Sequence, residues 1–188
     1  GRYGNFFSHA VVAEPEEVEG LRPAERWRAP RWSGRAGDAG ALPGLDELVP
    51  GTAFEPEALA GWLDDAGPAS YDLLARLIDA VVAVLGRGHG RVVLVADDVE
   101  QIARWIAVVS YSLPEAAAAR MSFDTYSADP GGAAQRLVGT TPDVWAGAQH
   151  HTAALLSGDL RHTPADGTVD GAADGAGRFG RTVARCWR

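Results

Sequence analysis

Residues 91–112, RVVLVADDVEQIARWIAVVSYS, restrict the fold more than any other stretch. Five apolar residues, Val92 to Ala96, run into the acidic pair Asp97 and Asp98, and helical spacing begins at once after it. A short, unbroken, valine-rich run suits a strand covered on both faces, as in a parallel sheet. Acids at the start of the next helix complement its dipole. The stretch therefore predicts a strand–turn–helix unit of an α/β domain.

The flanking sequence extends that unit. Leu74, Leu77, Ile78, Val81, Val82 and Leu85 fall on one stripe of a helix expected over 71–85, with Ser70 as N-cap and Gly86 as stop. A shorter helix is expected over 56–66, with Leu59, Trp62 and Leu63 inward, ended by Gly67 and Pro68. Ile102, Trp105, Ile106 and Val109 form the inner face of the helix after the strand, which Pro114 ends; a short helix over 116–119 follows. Residues 121–126 and 136–139 read as two short strands around the turn ADPGG. The order is helix, helix, strand, helix, strand, strand: a small α/β sheet with packed helices.

Outside this region the pattern is weaker. Residues 6–13, FFSHAVVA, are β-branched enough for a strand, and Trp27 and Trp32 bracket Pro30 as core residues or an interface anchor. Residues 33–51 hold five glycines and two prolines, a linker composition. The organisation expected is 1–35 as the remnant of an N-terminal domain, 36–51 as linker, 52–143 as the α/β domain and 144–188 as a poorly structured tail. Within that tail, residues 153–156 extend a short helix and 160–188 read as disordered. Phe179, Val183 and Trp187 at spacings of four leave room for one short terminal helix, which Gly180 weakens.

Composition narrows the function. All 17 basic residues are arginine, the net charge is −8, and no arginine cluster forms the basic face that nucleic acid requires. Residues 36–67 carry seven acids and no arginine. No apolar run approaches the roughly 18 residues needed to span a bilayer. The opening GRYGNFF has no basic-then-apolar leader, and the absent initiator methionine suggests a fragment. One cysteine, Cys186, excludes an intramolecular disulfide and a multi-cysteine zinc site, which fits the cytoplasm.

The candidate chemistry is incomplete. GRGHGR, 86–91, looks like a phosphate loop, but such a loop follows a strand and opens a helix; here the order is reversed and no lysine exists. VVLVADD looks like the strand-plus-acid element that holds magnesium in nucleotide hydrolases, making Asp97 and Asp98 weak metal candidates. The alternative is that Asp98 caps the helix, with Gln101 completing a capping box, or Asp97 with Glu100 in the other register. His9, His89, His150, His151 and His162 form no HxxxH or HExxH motif. No nucleophile elbow exists and nothing positions a base near Cys186. No catalytic, cofactor or metal residue is therefore assigned.

In chain order, GRYGNFFSHAVV, AERWRAPRW, RVVLVADDVEQIARWIAVVSYSLPEAAAARMSFDTY and RLVGTTPD resemble the actinobacterial GTPase-associated protein family. The first two segments are similar to the end of its N-terminal domain, which reads as truncated here, and 52–143 to its middle domain. The resemblance implies a GTPase partner, a setting in bacterial conflict (defence-type) systems and a non-enzymatic adaptor or regulatory role. The alternative is an enzyme-like domain binding a nucleotide or metal at Asp97 and Asp98. The family carries no catalytic residue over to these positions.

Overall fold

The computed structural model describes residues 10–34, 44, 47–147, 154–159 and 177–188, the stretch 154–159 through its backbone alone. Helix α1 (Pro56–Asp65) leads through Gly67 into α2 (Pro68–Arg87), then strand β1 (Arg91–Val95) and α3 (Val99–Ser112). After these come α4 (Glu115–Ala118), β2 (Phe123–Asp124), β3 (Leu137–Thr140), α5 (Pro142–Gly147), β4 (Ala154–Asp159) and α6 (Arg178–Arg185). Upstream lie two 3₁₀ turns, Pro15–Val18 and Pro23–Arg26.

The sheet order is β2-β3-β1-β4. All three pairings are parallel, with Val92 opposite Leu137 and Val95 opposite Thr140 on one side of β1, and Val92 opposite Leu156 on the other. This central place explains the apolar run: Val92 to Ala96 are each at most 2% exposed. Helices α2 and α3 pack on each other and on the sheet, and α1 packs on both. Leu74, Leu77, Ile78 and Val81 of α2 meet Ile102, Trp105, Ile106 and Val109 of α3 in one core. Trp62 stands edge-on to Trp105 across the α1–α3 contact, with ring centroids 5.1 Å apart.

The α/β class and element order are those expected from sequence, with local corrections. Helix α2 starts at Pro68, its N1 position, and ends at a left-handed Gly88, so Ser70 and Gly86 do not bound it. Ser70 instead turns inward, its hydroxyl 2.9 Å from Leu63 O and 2.6 Å from Gly67 O, stapling the α1–α2 turn. Gly67, at φ +83°, adopts a backbone that side chains disfavour. The buried stripe runs through Leu73 and Val84 rather than Val82, which is 40% exposed. The second strand contracts to two residues and the third shifts by one, to Leu137–Thr140. At Gly139 a Cβ would sit 2.3 Å from Thr125 O and 2.7 Å from Ile102, so only glycine lets β3 approach this closely.

Two larger corrections concern the ends. The strand expected over 6–13 falls partly outside the described residues, and 10–13 carry no regular structure. The tail expected to be poorly structured contains β4, a strand where a short helix was expected, and the packed helix α6. Strand β4 borrows its stability from the exposed edge of β1, and α6 from the surface of α2, so neither needs strong periodicity of its own.

Candidate interaction surfaces at the helix layer and the carboxyl edge of the sheet

Asp97 and Asp98 lie exposed at the carboxyl end of β1, where α/β folds commonly bind ligands. The chain leaves β1 toward β2 on one side and crosses from β3 to β4 on the other, so the acids stand beside a change of direction. Asp98 is the N-cap of α3, and its Oδ1 accepts the amide of Glu100 at 2.9 Å. The capping reading thus places Asp98 correctly, but the bond goes to Glu100 rather than Gln101. Glu100 turns its own carboxylate to Arg28, 2.8 Å away. Asp143, in the first turn of α5, is held below the usual carboxylate range by the Thr141 hydroxyl and the Val144 amide. On β2, burial pushes the Asp124 carboxyl up. Among the described residues no group of three or more His, Cys, Asp or Glu could hold a metal ion.

The glycine loop before β1 lies at the opposite, amino edge of the sheet. Arg136 donates to Gly88 O at 2.5 Å and Gly90 O at 3.2 Å, so this loop presents carbonyls to a guanidinium. Phosphate recognition needs inward amides. His89 is exposed there, while the other four histidines fall outside the described residues.

The best-built feature is a strap over α3, formed by residues 22–32. A helix ends in carbonyls without internal partners, and its dipole makes that end negative. Arg22 meets it: Nη1 donates to Ser110 O and to Leu113 O at 2.5 and 2.9 Å, and the guanidinium lies 5.8 Å from the Tyr111 ring centre. The Glu25 carboxylate accepts the Arg22 amide at 2.6 Å and fixes the turn. Behind Arg22, Ala24 and Ala29 are buried, and Trp27 stacks on Phe54 at 6.3 Å. Gly51, at the expected domain boundary, donates to Glu25 O at 2.6 Å, and a Cβ there would come within 2.6 Å of Trp27 O. Trp32 is the outer tryptophan, 40% exposed, with its indole N–H on Arg26 O.

The opposite device seats α6 on α2. Asp79 of α2 accepts the amides of Gly177 at 2.5 Å and Gly180 at 2.9 Å, capping the positive end of α6. At the far end, Trp187 donates its indole N–H to Ser112 Oγ at 2.8 Å. Arg188 lies 4.7 Å from the centre of the Tyr71 ring, whose hydroxyl donates to Asp64. Sequence reasoning missed Arg22 and Asp79, because a lone arginine in a loop and a lone aspartate on a helix carry no local signal. It did register the spacing of Val183 and Trp187, both of which pack on the core.

Comparison with known proteins gives these surfaces a context. Residues 1–48 match the model of GTPase-associated protein 1, N-terminal domain type 2, and residues 59–163 that of GTPase-associated protein 1, middle domain. A Mycolicibacterium smegmatis protein named for ESX-1 scaffolding and assembly, SaeB, is 30% identical over 133 residues, or 67% of this chain. Its counterpart in strain MKD8 of that species is 29% identical over the same length. The chain spans only 16% of the length of these relatives. No solved structure matches it. On the strength of the middle-domain match, the chain belongs to the GTPase-associated protein 1 family.

Proposed function

We propose that this chain is a non-enzymatic adaptor or regulatory module that works with a GTPase partner in a bacterial conflict system of the cytoplasm. The match of residues 59–163 to the middle domain carries the reading. The scaffolding role in the name of the SaeB relatives supports an assembly function rather than turnover. The geometry is compatible with it: the strap docks on α3 through specific polar bonds and buried aromatics, which would hold a partner-binding surface in one orientation. The carboxylate of Asp98, the best-placed residue for nucleotide chemistry, is engaged in capping α3.

The test is a titration of the chain into any GTPase that a neighbouring gene encodes, loaded with GDP or with a non-hydrolysable GTP analogue. Saturable binding that differs about tenfold or more between the two nucleotide states is expected, a coupling of about 1.4 kcal/mol. Absence of binding in both states would overturn the proposal.

A further inference from the structure

The arginines of the strap divide into two kinds. Arg22 is taken up by the carbonyls that end α3, and Arg28 by Glu100 at its start. Arg26 and Arg31, both half-buried, meet no carboxylate among the described residues. They lie instead within reach of each other's charge: burial first, and then Arg31, hold Arg26 below the usual guanidinium range. Arg31 donates Nη2 to Val49 O at 3.1 Å and sits 5.8 Å from the centre of the Trp32 ring. Its Nε is buried without a hydrogen-bond partner, so this guanidinium has lost water on one side and gained no acceptor for it. Two partly desolvated like charges cost the fold energy, and an anion joining them reverses the sign. The strap fixes the pair in place: Trp32 donates its indole N–H to Arg26 O and its amide to Ala29 O, and the Gly51 amide closes on Glu25 O. Trp32 and Val49, 40% and 46% exposed, supply apolar surface next to Arg31. Tryptophan and arginine together are the composition of binding hot spots.

We propose that Arg26, Arg31, Trp32 and Val49 form a docking site for a short acidic segment of a partner protein. A carboxylate of that segment sits on the two guanidiniums, whose planar forks match it, and an adjoining apolar side chain lies on Trp32 and Val49. Charge decides the class of partner. The chain carries a net −8, and residues 36–67, which follow the strap, hold seven acids and no arginine. A long polyanion such as nucleic acid therefore meets repulsion beyond the two arginines, whereas one or two carboxylates do not. The site stands whether or not the partner is a GTPase.

The test is fluorescence anisotropy of the full chain with a fluorescein-labelled short peptide of repeating Leu-Glu-Glu. Saturable binding is expected, weakening as salt rises. Leu-Gln-Gln and Gly-Glu-Glu versions should each bind at least about tenfold more weakly, because each lacks one half of the recognition. Arg26→Gln and Arg31→Gln, singly and together, should weaken the Leu-Glu-Glu peptide by about tenfold or more, while Arg87→Gln, exposed before the glycine loop at the amino edge of the sheet, should leave it unchanged. The peptide comparisons use the wild-type chain, so they decide the matter even if a variant folds poorly. Lack of binding to wild type, equal binding of the Leu-Gln-Gln peptide, or undiminished binding to a folded double variant would overturn the proposal. An oligothymidine of equal charge bound as tightly would overturn it too, in favour of a nucleic-acid site.

Discussion

Arg22 and Asp79 solve the same problem at opposite helix ends. Arg22 brings a positive charge to the carbonyls that close α3, and Asp79 brings a negative charge to the amides that open α6. What lies behind each charge differs. The strap adds Ala24, Ala29, the Trp27–Phe54 stack and the close approach of Gly51, whereas the α6 segment buries Gly180 and Ala184, packs Val183 and Trp187 half-buried on the core and adds a set of polar contacts. Equal electrostatic devices therefore hold segments of unequal burial. The strap should unfold with the domain, and the terminal helix should open before it.

The largest effect should come from the layer that carries both attachments. Leu77→Ala leaves a cavity at a fully buried site of α2 and should cost about 2–5 kcal/mol in chemical denaturation. Val82→Asp, one turn further and 40% exposed, should cost less than about 1 kcal/mol. Equal losses would mean that the buried stripe is assigned to the wrong face. Arg22→Ala removes two charge-assisted bonds and should cost about 1.5–3 kcal/mol in the single global transition. Asp79→Ala should cost about 0.5–2 kcal/mol, confined to α6. Hydrogen exchange should then speed up at residues 178–185 and stay slow at 99–112. Faster exchange in α3 would show that the two ends are not independent.

The smallest effect concerns Tyr71, on which Arg188 rests. Burial first, then the hydrogen bond and charge of Asp64, push its hydroxyl up to about 12 against the opposing Arg188. The folded state holds this proton more tightly than the unfolded chain, so the associated stability is complete below pH 10 and lost as the pH rises toward 12. Tyr71→Phe should flatten that part of the stability profile. An unchanged alkaline decline would place its origin in other groups.

The difference between the two ends also explains what the residues reveal in advance. Val92 to Ala96 announce a central strand because both faces are covered, and the α3 face through Ile102, Trp105, Ile106 and Val109 follows from its period. Val82 misleads because its apolar side chain fits the stripe by spacing, while α2 turns Leu73 and Val84 inward instead. Strand β4 and helix α6 are hidden because their stability comes from partners far away in the chain, at β1 and at α2, where Gly180 meets Asp79 101 positions before it. Gly180 reads as a helix weakener, yet it is what permits the close crossing. At the candidate site, Asp98 as a cap follows from sequence, but its choice of Glu100 over Gln101 depends on the local backbone.

That choice also bears on the function. If the chain works through a GTPase and not on nucleotide itself, its best-placed carboxylate should answer to helix stability alone. Asp98→Asn should be nearly neutral because asparagine caps about as well, and Asp98→Ala should cost about 0.5–2 kcal/mol. The most direct measurement is calorimetric titration of the chain with GTP and with GDP, each with magnesium, in wild type and Asp98→Asn. No saturable heat in either protein is the predicted result. Saturable binding of magnesium and nucleotide that Asp98→Asn abolishes would contradict the account and move the chemistry to the carboxyl end of β1.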